Sequence, residues 1–191
     1  MLLLGFSGQK RRTRQAVRAA LAEVRRYGRG VHLHTFLGRA WHRKRFLAPY
    51  LRNTLWDLGF AVDTLETAVP WDRVTRTMQD IESSLSMGLA DVNERVHVFS
   101  HLSHVYSTGS SIYTTYLFRI GASPEETLWR WKTLKQLASQ AIVANQGTIS
   151  HHHGVGLDHL QDLKPEKGDL GLAAIQSLCA SFDPQGLMNP G

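Results

Sequence analysis

Apolar positions in this chain recur in two rhythms, and most of the predicted elements follow from telling them apart. Between Gln9 and Tyr27, Val17, Ala20, Leu21, Val24 and Tyr27 fall at helical spacing and form one stripe, so this stretch predicts a helix. Gly28 and Gly30 end it. The short apolar run Leu2–Phe6 ahead of it predicts a strand closed by Gly8, and Val31–Phe36 predicts another. Residues 38–58 carry Trp41, Phe46, Tyr50, Leu51, Leu55 and Trp56 and predict a helix interrupted at Pro49, which removes a backbone donor. Phe60–Glu66 alternates and predicts a strand. Val69-Pro70-Trp71-Asp72 then predicts a helix start with Pro70 in the first turn, followed by the stripe Val74, Met78, Ile81 and Leu85 and a stop at Gly88.

The second half is more sharply punctuated. Arg95–Tyr106 and Ser111–Ile120 alternate on either side of Ser107-Thr108-Gly109-Ser110, which predicts a hairpin. On its second strand Tyr113, Thr115 and Leu117 share one face, and Ile112, Thr114, Tyr116 and Phe118 the other. One face is expected to pack on helices and the other to line a site. Ser123-Pro124-Glu125-Glu126 combines a serine cap, a proline at the first position and a glutamate three residues after the cap. The helix that it opens runs to about Asn145, with Leu128, Trp131, Leu134, Ala138 and Ala141 inward, and a last helix is predicted over Leu170–Phe182. Strands and helices in mixed order, with one hairpin, predict an α+β fold: a mostly antiparallel sheet with helices packed on it.

Composition changes this picture little. The 191 residues suffice for one good core or two small ones, and 42% hydrophobic with 20% charged residues is ordinary for a globular domain. One cysteine, Cys179, rules out an internal disulfide and fits a reducing, cytoplasmic setting; its alanine-rich helical surroundings predict a small core residue. No apolar run approaches the length of a membrane-spanning helix. The formal charge is +6, much of it between Lys10 and Arg52, which favours anionic partners: phosphorylated substrates, nucleic acid or acidic lipid headgroups. The arginine-rich first helix lacks interleaved exposed aromatics, so nucleic acid is not the expected partner.

Candidate chemistry concentrates in Gly147–Gly156, which reads G-T-I-S-H-H-H-G-V-G. Three imidazoles in a glycine-bounded loop suit binding or proton transfer better than packing. Adjacent histidines do not converge easily on one ion, and neither H-E-x-x-H nor cysteine-rich spacing is present, so no metal ligands are assigned. A metal- or anion-binding module without catalysis stands as the alternative. Walker, G-x-G-x-x-G and nucleophile-elbow motifs are absent. Proton transfer by tyrosine and histidine, with an arginine holding an anionic group, is the better chemical fit.

Several segments carry a family resemblance: Y-L-R at Tyr50–Arg52, E-T-A-V-P-W-D-R at Glu66–Arg73, H-V-Y-S-T-G-S-S-I-Y at His104–Tyr113, A-N-Q-G-T-I-S-H-H-H-G-V-G at Ala144–Gly156, and D-P-Q-G-L-M-N-P-G at Asp183–Gly191. In this order they resemble the C-terminal part of FAD-linked oxidases and transferases of the vanillyl-alcohol oxidase type, most nearly the alkylglycerone-phosphate synthase (alkyl-dihydroxyacetone-phosphate synthase) branch and its bacterial relatives. The resemblance implies a cap domain with ferredoxin-like elements. It implies Tyr113 as general acid/base at the substrate carbon next to a carbonyl, and Arg52 near the flavin and the substrate's anionic group. It also implies His151, His152 and His153 beside the isoalloxazine, and Asn189 near the flavin. The implied substrate is a phosphate ester undergoing acyl–alkyl exchange in lipid metabolism, or a 2-hydroxy acid undergoing oxidation. The family's FAD-binding domain precedes this region. Residues 1–191 are therefore expected to be one cap domain, a fragment inactive by itself, with FAD and the FAD-binding domain as partners and a homodimer compatible with the sequence.

Overall fold

The computed structural model describes residues 3–28, 33 and 35–188. It divides into two units, residues 1–51 and 52–191.

The first unit is helical. Helix α1 (Lys10–Tyr27) follows the predicted stripe, with Val17, Ala20, Leu21 and Val24 half-buried and its arginines exposed. Helix α2 (Phe36–Lys44) passes into a 3-10 turn, Arg45–Tyr50, that contains Pro49; α3 (Leu51–Asp57) follows and, from Arg52 on, belongs to the second unit. The break thus falls at the residue that lacks a backbone donor. Two expectations change. Leu3–Phe6 is irregular rather than a strand, since no strand pairs with it. The strand predicted over Val31–Phe36 lies largely outside the described residues, and Phe36 opens α2.

The second unit is built on a three-stranded antiparallel sheet in the order β1-β3-β2, among the described residues. Strand β1 (Phe60–Pro70) pairs along its whole length with β3 (Gly109–Arg119), Phe60 opposite Arg119 and Pro70 opposite Gly109. Strand β2 (His97–Val105) flanks β3 on the other side, with a register shift between Leu102 and Val105. Pro70 is the last residue of β1 rather than the first turn of a helix: at a strand end on the sheet's edge its missing N–H costs no ladder bond. Helix α4 (Val74–Met87) begins four residues later.

One face of the sheet packs on α4 and on α5 (Pro124–Ala144). Leu65 from β1, Tyr116 and Phe118 from β3, Ile81 and Leu85 from α4, and Leu134, Ala138 and Ile142 from α5 form its core. Each buried Leu or Ile contributes roughly 1.5–3 kcal/mol. Ser123 caps α5 as predicted, its Oγ accepting the Glu126 N–H, while the Glu126 carboxylate accepts the Ala122 N–H. Leu128 is exposed, because it falls off the stripe that Leu134 and Ala138 define. Within this core Asp63 accepts from Tyr116 Oη (3.0 Å), Trp131 Nε1 (2.6 Å) and Lys135 Nζ (3.0 Å). Burial pushes the Asp63 carboxyl upward, but the Lys135 charge and the hydrogen bonds outweigh it and hold it below the usual range.

Helix α6 (Leu160–Phe182) starts ten residues earlier than predicted and bends at Gly168, whose φ of 68° only glycine adopts readily. Cys179 is exposed rather than buried: Leu170, Leu178 and Phe182 on the same segment are exposed too, and no element of the unit packs over them.

Candidate functional site

Among the described residues, α4, α5 and α6 leave the second face of the sheet open, and Leu55 of α3 borders one end of it. Alternation places Glu66 of β1, Tyr113 of β3 and His101 of β2 on it in one row, because Glu66 and His101 are both register partners of Tyr113. Tyr113 is half-buried and His101 exposed, whereas Glu66 is 4% exposed. The tyrosine three residues on, Tyr116, points the opposite way into the core. Burial and its bond to Asp63 push that phenol far upward and keep it a hydrogen-bond donor. Two tyrosines of one strand thus have separate tasks, set by which face each takes.

The histidine loop reaches this face along the free edge of β1. Gly147 enters the edge under Thr67, where a Cβ would lie 2.5 Å from Thr67 Oγ1. Thr148 N donates to Ala68 O (3.3 Å), Thr67 Oγ1 to Thr148 O (2.7 Å), and His151 N to Glu66 O (3.1 Å). From the far side Glu166 of α6 accepts from Ile149 N (2.7 Å) and Thr148 Oγ1 (3.1 Å). Burial raises the Glu166 carboxyl, but Lys167 and these donors outweigh it and keep it below its usual range. Beyond Ser150 the loop turns through positive φ at His152 (63°) and Gly154 (78°). Ser150 Oγ closes that turn on Gly154 O (2.6 Å).

The turn brings His151 and His153 beside Glu66, where His104 of β2 joins them. One carboxylate oxygen, Oε1, lies 3.3 Å from both His104 Nδ1 and His151 Nδ1; the other, Oε2, lies 3.4 Å from His153 Nε2. Ser103 Oγ also donates to Glu66 Oε1. Ser111 Oγ ties Ser103 Oγ (2.7 Å) to the His104 amide (2.9 Å). Burial pushes the Glu66 carboxyl upward, yet hydrogen bonds from Ser103, Ser111, His104 and His151 prevail and hold it below the ordinary range, so it is ionised. Outside this shell Tyr106 Oη meets His151 Nε2 (3.1 Å) and His152 Nε2 (3.4 Å). His104 and His152 stack with centroids 4.9 Å apart, and the Tyr113 and His153 rings meet edge to face at 5.8 Å.

The structure therefore brings together Tyr113, His151, His152 and His153. Arg52 is exposed on α3 and has no ion pair or hydrogen bond among the described residues. Asn189 lies outside the described residues. Sequence reasoning did not single out Glu66, His104, Tyr106, Ser103 or Ser111. The available signal was Glu66 itself, a carboxylate among residues that strand alternation and apolar neighbours mark for burial, which requires partners. Ligating atoms of His104, His151 and His152 lie within 4.8 Å of one another. His104 Nδ1 faces Ser111 Oγ, and His151 Nε2 and His152 Nε2 face Tyr106 Oη, so hydroxyls already engage these nitrogens.

Further along the open face, Phe60, Arg95, His97, Leu117 and Arg119 line a groove of about 690 Å³. Its lining is largely apolar and carries groups of both signs, Glu94 beside the two arginines.

Comparison with known proteins agrees with this architecture. The family described as FAD linked oxidases, C-terminal domain, matches residues 1–191. Alkyldihydroxyacetonephosphate synthase of Trypanosoma brucei brucei is 28% identical over 191 residues, which cover 100% of this chain and 31% of that protein. The uncharacterized FAD-linked oxidoreductase YgcU of Escherichia coli O157:H7 is 25% identical over 137 residues, 71% of this chain and 28% of that protein. A solved alkyldihydroxyacetonephosphate synthase structure shares the fold with a TM-score of 0.66 at 20% identity, over 97% of this chain and 30% of its own. The chain thus spans less than a third of each relative.

Proposed function

The chain belongs to the family of FAD linked oxidase C-terminal domains, and from that premise we propose that it is the substrate-side cap of an alkylglycerone-phosphate synthase-like flavoenzyme. An FAD-binding domain completes the site. Tyr113 exchanges a proton with the substrate carbon next to a carbonyl, Arg52 holds the substrate's anionic group, and the histidine loop lines the space beside the flavin. The observation that carries this reading is the pairing of Tyr113 with His153 on an uncovered sheet face, directly over a buried, ionised Glu66.

The residues present fit a flavin. A flat heteroaromatic ring with donors and acceptors on its rim needs an open aromatic surface with polar side chains that do not collapse on it. Tyr113, His101 and His153 provide one, on a rigid sheet. When bound, FAD would supply two-electron redox chemistry at that surface. This chain's share is binding, orientation and proton handling. Tyr113 is the phenol of the open face left uncommitted, since Tyr116 is bound to Asp63 and Tyr106 to His151 and His152. His153 and His101 flank the Tyr113 ring and restrict its rotation. Arg52, unpaired among the described residues, is available for a phosphate or carboxylate.

The test is Tyr113→Phe in the full-length enzyme that carries this domain. Turnover is expected to fall about 10²–10⁴-fold, the usual weight of a general acid/base, with the flavin absorbance unchanged. Near-normal turnover would remove Tyr113 from the mechanism. Glycerone-phosphate esters and 2-hydroxy acids are the two substrate classes to assay. The synthase relative motivates the first, and the family resemblance of the sequence the second.

A further inference from the structure

Glu66 has a consequence for the histidine loop that none of the loop residues has alone. An ionised carboxylate only accepts hydrogen bonds. A neutral imidazole carries one N–H and one lone pair, so fixing one nitrogen as donor fixes the other as acceptor. His151 Nδ1 is buried and makes no hydrogen bond of good geometry; Glu66 Oε1 lies 3.3 Å from it, and a carboxylate at that distance repels a lone pair and attracts an N–H. That nitrogen must carry the proton, and His151 Nε2 must accept. Its partner there, Tyr106 Oη at 3.1 Å, is therefore the donor. With its single proton given to His151, Tyr106 Oη has only lone pairs for His152 Nε2 at 3.4 Å, so His152 is an Nε2–H tautomer. The other carboxylate oxygen lies 3.4 Å from His153 Nε2, and its charge again favours the proton on that nitrogen, which leaves Nδ1 as the lone-pair nitrogen of His153.

We propose that Glu66 is the positioning residue of the site: its charge, beside His151 Nδ1 and His153 Nε2, sets the tautomers of all three loop histidines, alternating from ring to ring. Its product is one acceptor nitrogen, His153 Nδ1, on the ring that meets Tyr113 edge to face. A substrate or cofactor N–H or O–H beside Tyr113 thus meets a basic nitrogen, while His152 offers the opposite pattern. Ser103, Ser111, His104, His151 and His153 face Glu66 from β2, β3 and the loop, and no lysine or arginine does so among the described residues. The charge that orders the imidazoles is the carboxylate's own. The proposal deepens the reading of this face as a proton-handling site and rests on it for its functional meaning. The tautomers themselves do not depend on that reading.

The test uses the 191-residue chain at pH 8, above the ordinary imidazole range, with histidine side-chain nitrogens observed by long-range ¹H–¹⁵N correlation NMR. The expected pattern is Nδ1–H for His151 and Nε2–H for His152 and His153. In Glu66→Gln the amide offers one acceptor and one donor in the same volume, so His151 or His153 is expected to switch tautomer while the backbone amide spectrum stays folded. The wild-type measurement alone decides the matter if the variant does not fold: the opposite tautomer at His151 or His153 overturns the proposal. So do unchanged tautomers in a folded Glu66→Gln chain, or wild-type tautomers that change when EDTA is added, since a bound metal would then be setting them. Failure of the Tyr113→Phe test with the expected tautomers intact would remove the catalytic reading and leave the role of Glu66 standing.

Discussion

Glu166 holds the histidine loop from behind, and replacing it separates hydrogen bonding from charge. Its carboxylate accepts from the Ile149 amide at 2.7 Å and from Thr148 Oγ1 at 3.1 Å, and Ile149 is 2% exposed. In Glu166→Ala the Ile149 N–H loses a charged acceptor in a place that water reaches poorly. A hydrogen bond to a charged group contributes about 1.5–3 kcal/mol. Because part of Glu166 and its Lys167 partner remain in contact with solvent, the lower half of that range applies, about 2 kcal/mol. In Glu166→Gln the amide oxygen still accepts from Ile149 and the NH₂ donates to Thr148 Oγ1, so the loss is about 1 kcal/mol or less. Hydrogen exchange of the Ile149 amide reads this local opening directly. At tenfold per about 1.4 kcal/mol, exchange is expected to accelerate ~30-fold in the alanine variant and ~5-fold or less in the glutamine variant. Exchange at the wild-type rate in Glu166→Ala would refute the reasoning, because the loop would then be held by its β1 bonds alone. Equal acceleration in both variants would show that charge, not hydrogen bonding, is what matters.

Two further outcomes follow from the sheet and its core. Gly109→Ala places a Cβ 2.2 Å from Val69 O, a backbone atom of a fully paired strand; a loss of about 3 kcal/mol in urea unfolding is expected, and a change within ~0.5 kcal/mol would contradict it. The Asp63 carboxyl is held below its ordinary value in the fold, so its stabilisation is complete above the unfolded value of about 3.9 and is lost as pH falls through the folded value. Asp63→Asn is expected to cost about 1–2 kcal/mol at pH 7, discounted for the partial exposure of Asp63, and to flatten the fall in stability below pH 4. An acid limb as steep as that of the wild type in urea titrations would show that other carboxylates carry it.

The elements legible in the sequence are those whose local chemistry and burial agree. Ser123-Pro124 set the start of α5, the stripe Val74, Ile81 and Leu85 set α4, and the turn before Gly109 set the hairpin, each with no competing pattern. Pro70 misled because a proline after apolar residues signals a helix start as readily as a strand end; only its place on the sheet edge decides. The first turns of α6 were hidden by Pro165, which ordinarily breaks a helix. Cys179 read as inward because spacing says which residues share a face, not whether anything covers it, and Leu128 because it lies off the stripe that is buried. The site divides in the same way. Three adjacent histidines and Tyr113 announce themselves, but Glu66 lies 85 positions before His151, and its role exists only once β1 runs alongside the loop.

The sheet has two borders, and the chain treats them differently. Along β1 the histidine loop supplies hydrogen-bonding partners of its own, so that border is closed to newcomers. Strand β2 forms the other, and Phe99, Leu102 and Val105 are exposed there. A straight, sticky strand of this kind would recruit a neighbour's strand and grow into a continuous ribbon at high concentration. The slip in register between Leu102 and Val105 bends the strand where it is most apolar and spoils the template. That irregularity makes colloidal behaviour, and not only catalysis, a property written into the hairpin: straightening it should yield a protein that folds as before and precipitates sooner.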